Sequence, residues 1–76
     1  MFRYVLKKED GFFRWIQWTA GVVPSVRTAE YEQAMIVSDE YLNYEVEKTG
    51  KTRRELIEEY HPGTQFVKVQ ITIVES

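Results

Sequence analysis

The chain has 76 residues, no cysteine and a formal charge of −2 at pH 7. That length allows one domain, 1–76, with a thin core, because a domain this small buries only about 60% of the surface its unfolded chain exposes. The absence of cysteine removes any disulfide framework or thiolate metal site. No stretch approaches the roughly 18 apolar residues of a membrane span, so the expectation is a soluble, cytoplasmic chain with no membrane association.

Charge alternates along the chain. Residues 1–27 carry a net +3, residues 28–47 a net −6, residues 48–54 a net +4 and residues 55–59 a net −3. Such blocks read either as the solvated faces of different elements or as a bipolar molecule with a basic sheet and an acidic helical side.

Phe2, Tyr4 and Leu6 alternate with Arg3, Val5 and Lys7, the pattern of a strand. Asp10-Gly11 then signals a hairpin, since glycine supplies positive φ at little cost, and 12–19 is the returning strand. Gly21 and Pro24 mark 20–25 as a loop. Thr28 with Glu30 and Glu32 suits the start of a short helix over 28–34. Met35-Ile36-Val37 reads as a short strand, and Ser38-Asp39-Glu40 restarts a helix with Ser38 as its cap. That helix carries Leu42 and Val46 one turn apart and is interrupted at Gly50. Thr52-Arg53-Arg54-Glu55 is a capping box opening a helix over 53–60, with Leu56, Ile57 and Tyr60 inward. His61-Pro62-Gly63 stops it. In the last strand Val67, Val69, Ile71 and Ile73 alternate with Lys68, Gln70 and Thr72, which puts the β-branched residues on the buried face.

Few motifs carry chemistry. Gly50-Lys51-Thr52 resembles a P-loop tail, but Glu45 stands where the earlier glycine is required and a helix precedes. His61 is the only histidine. Beside Glu58 and Glu59 it falls short of the ligand set a metal needs, and its place suits contact with the last helical carbonyls. None of Ser25, Ser38 and Ser76 sits in a nucleophile elbow or beside a histidine. No buried carboxylate pair is indicated. The chain is therefore expected to be no enzyme, with no cofactor, no metal and no small-molecule substrate. The acidic run 28–47 reads as a solvated face, since mimicry of nucleic acid needs a far more negative chain.

The stretch "GFFRWIQWT" carries large apolar side chains on both of its faces, and loop parity decides which face is buried. With an even loop such as Asp10-Gly11, Phe13 and Trp15 join Phe2, Tyr4 and Leu6 in the core. With the odd loop Glu9-Asp10-Gly11 the other face turns in and buries Arg14, which is expensive without a partner. The even loop is preferred; it buries Gln17 and Thr19 instead. Phe12, Ile16 and Trp18 then face outward beside Val5, framed by Arg3, Lys7 and Arg14. Either the 22–24 segment folds over them or they form a binding surface, because exposed apolar patches with tryptophan and arginine mark interfaces. A protein partner or a second copy of the chain suits this surface. A single-stranded nucleic acid stacked on the aromatics is the alternative.

The strings "YVLKKEDGFFRWIQWT", "TAEYEQAMIVSDE" and "RELIEEYHPGTQFVKVQITI" occur in an order that resembles a loose group of small uncharacterised proteins from phages and prophages of Gram-positive bacteria. The resemblance spans most of the chain. It implies an accessory or host-interacting role and supplies no catalytic residue. The expected fold is α+β: a small antiparallel sheet, formed by the hairpin, the C-terminal strand and a short fourth strand, with helices packed on one face.

Overall fold

In the computed structural model, which describes residues 2–70, β1 (Arg3–Lys8) and β2 (Gly11–Thr19) form the expected antiparallel hairpin. Lys7 pairs with Phe12 and Lys8 with Gly11. The loop is therefore even, but it consists of Glu9-Asp10 rather than Asp10-Gly11. Gly11 opens β2 at φ +141°, and a Cβ there would lie 2.9 Å from the carbonyl oxygen of Ala29. Asp10 is tied down by the Thr28 hydroxyl, which donates to its Oδ2 at 3.0 Å.

Beyond Phe13 the strand does something alternation does not anticipate. β2 pairs with β3 (Val23–Ala29) through Phe13–Thr28 and then Trp15–Arg27, so Arg14 has no opposite residue on β3. This is a β-bulge, in which one strand spends an extra residue and bends. Its effect on facing is direct. Phe13 is fully buried, Ile16 and Trp18 pack against the same core, and Trp15 turns outward, 37% exposed. The expected core position of Trp15 and outward positions of Ile16 and Trp18 are thereby corrected.

β3 also replaces the expected 20–25 loop and the start of the 28–34 helix. Pro24 is compatible with a strand because β3 has a ladder partner only in β2, and proline is accepted on such an edge. Pro24 is itself buried opposite Trp18. The loop shrinks to Ala20–Val22, closed by the Val22 amide donating to the Thr19 carbonyl at 3.1 Å. Of the helix there remains a single 3-10 turn, Tyr31–Gln33.

The bulge bends β2 away from β1, and the vacated edge of β1 is taken by the short strand β4 (Val37–Ser38). It pairs Tyr4 with Val37 and Arg3 with Ser38. Entry to β4 is fixed where β2 departs, by the Met35 amide donating to the Phe13 carbonyl at 2.8 Å. The other edge of β1 carries β7 (Gln65–Val69), in register from Arg3–Val69 to Lys7–Gln65. Pairing of Leu6 with Phe66 and of Val5 with Val67 puts Phe66 inward and Val67 outward. Val67 is 39% exposed, so the expected buried face of this strand is reversed. A period of two defines two faces without saying which is buried. Ile71 and Ile73, assigned to the same face, lie outside the described residues.

Ser38 caps α1 (Asp39–Asn43) as expected, its hydroxyl oxygen accepting from the Tyr41 amide at 3.1 Å. The helix ends at Asn43, however, and Val46 belongs to a second small hairpin, β5 (Glu45–Val46) with β6 (Lys51–Thr52). Its turn is closed by the Thr49 and Gly50 amides, both donating to the Val46 carbonyl at 3.0 Å. Thr52 and Glu55 form the capping box at the head of α2 (Arg53–Tyr60). Leu56 and Ile57 are buried as expected, whereas Tyr60 is 47% exposed.

Leu6, Phe13, Val37, Leu42 and Ile57 make one buried cluster, which places both helices against one face of the sheet. The fold is α+β, as its sequence pattern implies. Among the described residues no helix is long and apolar enough to cross a membrane.

Candidate interaction face

The helices leave the other face of the sheet open. Its outward positions follow from the registers above: Arg3, Val5 and Lys7 on β1, Phe12, Trp15 and Gln17 on β2, Ser25 and Arg27 on β3, and Gln65, Val67 and Val69 on β7; the bulged Arg14, next to Trp15, is exposed as well. No carboxylate occupies an outward position of these strands. The ion pairs among the described residues, Lys51–Glu59 and Arg54–Glu58, are both on the helical side. Of the four cations of the face, Lys7 and Arg27 stand over rings, and none of the four has a carboxylate partner among the described residues.

Lys7 Nζ lies 5.6 Å from the centroid of Phe12, and the Arg27 guanidinium 5.9 Å from that of Trp15. Phe12 in turn meets the ring of Tyr31 edge-on at 5.3 Å. Cations over aromatic faces are held by the ring quadrupole, worth about 0.5–1 kcal/mol at exposed sites. Their remaining donors stay directed to solvent and to whatever docks there.

Of the residues the sequence assigned to this surface, Arg3, Lys7, Phe12 and Arg14 are placed on it. Val5 faces the same way but is only 3% exposed, so it supports the face without offering contact area. Ile16 and Trp18 are on the opposite side, in the core. Trp15, Arg27, Tyr31 and Val67 were missed. The first two depend on the bulge and on β3, Tyr31 on the loss of the helix, and Val67 on the facing of the last strand.

His61 has a structural part. Its Nδ1 lies 3.3 Å from Lys8 Nζ, an ammonium that can only donate, so Nδ1 accepts. Nε2 then carries the proton and donates to the Pro24 carbonyl at 2.7 Å. The ring also meets Phe13 edge-on at 5.9 Å. It fastens the end of α2 to β1 and β3, where the expectation was contact with the helix carbonyls. No group of three or more metal-binding side chains occurs among the described residues.

The helical side has the opposite charge balance: residues 39–59 hold seven carboxylates against four cations. Comparison with protein-family models, with curated proteins and with solved structures returns no match.

Proposed function

We propose that the protein is a small non-enzymatic interaction protein of the cytoplasm that binds an acidic protein surface, or a second copy of itself, through the outer face of its sheet. The observation that carries this reading is the composition of that face: Arg3, Lys7, Arg14 and Arg27 share it with Phe12 and Trp15, with no carboxylate at an outward strand position. Arginine and tryptophan are the residues on which interface energy concentrates, and unopposed cations favour encounter with an acidic partner. The carboxylate-rich helical side supplies such a surface on a second copy. The resemblance to phage and prophage proteins adds an accessory, host-interacting role.

Sedimentation equilibrium over a wide concentration range tests the self-association arm. A mass that rises with concentration, and no longer does so in Trp15→Ala/Arg27→Ala, is the expected result. Monomers at every concentration remove that arm and leave the foreign partner.

A second reading, single-stranded nucleic acid, is favoured by the interleaving of Lys7 with Phe12 and Arg27 with Trp15 on an open sheet. Bases stack on such rings while cations follow the phosphates. Anisotropy of a labelled oligonucleotide decides it: binding that weakens steeply with salt and is lost in the double variant supports it, and no binding at low salt sinks it.

A further inference from the structure

On the helical side, Arg53 is held in an unusual setting. Its guanidinium lies 4.4 Å from the centroid of Tyr41, 4.3 Å from that of Tyr44 and 6.0 Å from that of Trp18. Its one hydrogen bond among the described residues, from Nη1 to the Tyr41 carbonyl, is long at 3.5 Å. It has no carboxylate partner there, although Lys51 and Arg54 on either side each have one. A guanidinium carries five N–H donors in a planar fork, so most of this half-buried group's donors are unspent.

Arg53 lines a cleft of about 400 Å³ together with Trp18, Tyr44, Val46, Glu47 and Lys48. That volume is in the range of small-molecule sites. The Trp18 ring and the Tyr44 backbone are tied in place. The Trp18 indole N–H donates to the Tyr41 hydroxyl at 2.9 Å, and the Arg53 amide donates to the Tyr44 carbonyl at 2.9 Å. The rim includes Ala20, which adopts φ +53° although it is not glycine, the kind of backbone strain that gathers at binding sites. At the head of α2 the Thr52 and Glu55 amides are engaged in the capping box and the Arg53 amide is on Tyr44, so the Arg53 and Lys48 side chains are the cleft's cationic groups. Lys48 and Arg53 outweigh Glu47 by one charge.

We propose that this cleft binds a small organic anion, a flat ring bearing a carboxylate or phosphate group, with the ring against Trp18 and Tyr44 and the anionic group on the Arg53 fork. The site is separate from the sheet face and stands without it.

In a Trp15→Phe background Trp18 is the only indole, and its fluorescence reports the cleft. Benzoate and phenyl phosphate are the probes, with benzyl alcohol as the ring without charge and inorganic phosphate as the charge without ring. Saturable binding of benzoate or phenyl phosphate is expected, at least about tenfold tighter than either control and weakened at least about tenfold by Arg53→Gln. Which of the two binds better identifies the anionic group. Lys48→Gln, an exposed change that leaves the fold alone, is expected to weaken the better probe about threefold. The proposal is overturned if neither probe saturates, if inorganic phosphate binds as well as the aryl anions, or if Lys48→Gln and Arg53→Gln both titrate like the parent.

Discussion

Gly11 and Ala20 both lie at positive φ, and their residue types have opposite consequences. At Gly11 a side chain meets the Ala29 carbonyl oxygen at 2.9 Å, a backbone atom that cannot swing aside. Gly11→Ala is expected to cost about 2–3 kcal/mol, read from the urea midpoint. At Ala20 the side chain already strains the turn, and Ala20→Gly is expected to raise stability by up to about 1 kcal/mol, the relief of left-handed strain less the added freedom of the unfolded chain. Glu55 provides a pH-dependent contribution. The Thr52 backbone amide, then its hydroxyl, hold the Glu55 carboxyl below its ordinary 4.5. A depressed carboxylate stabilises the fold above its unfolded value, and that contribution is lost as pH falls through the folded one. The parent should therefore exceed Glu55→Gln in urea midpoint at neutral pH, with the gap narrowing as pH falls below 4.5 and through the lowered folded value; a gap that is constant with pH contradicts this.

At the scale of elements the bulge at Arg14 governs the molecule. It turns Ile16 inward and Gln17 outward. Ile16→Glu should cost about 3 kcal/mol or more, because it puts a charge against the core. Gln17→Glu should change stability by no more than about 0.5 kcal/mol. Comparable thermal melts for the two variants, or the reverse order, would rule out the bulged register. The bulge had a trace in the sequence. Neither regular register keeps Arg14, Gln17 and Thr19 all in water while burying Phe13, and one extra residue between Phe13 and Ile16 does so. Local signals were legible wherever a few neighbouring residues decide the outcome: the even hairpin loop, the Ser38 cap, the Thr52–Glu55 box and α2 with its stop at His61. The rest depended on distant partners. β3 was hidden because Pro24 reads as a breaker until its edge position is known. Thr28 resembled a helix cap until it was seen bonding Asp10. The facing of β7 is set by pairing with β1, which alternation within 65–69 does not contain. The candidate surface was half legible for the same reason: its β1 cations, Phe12 and Arg14 survive, while Trp15 and Arg27 require the bulge and β3.

For the molecule as a whole, these placements resolve the alternating charge into two sides. The sheet presents cations and rings with no outward carboxylate, and the helices and the small hairpin present an acidic balance. A domain with so thin a core gains little from leaving Trp15 half exposed beside Arg27, and an interaction that covers the pair gives that exposure a use. The residues to alter are accordingly on the surface, where substitution leaves the fold intact. The most direct measurement is capture from a nuclease-treated lysate of Gram-positive bacteria, quantified by mass spectrometry, with the parent and Trp15→Ala/Arg27→Ala run side by side. A protein retained by the parent, unaffected by nuclease and reduced at least about tenfold on the double variant, is the expected result. Equal retention by the two chains, or no retention by a parent that is also monomeric at high concentration, would contradict it.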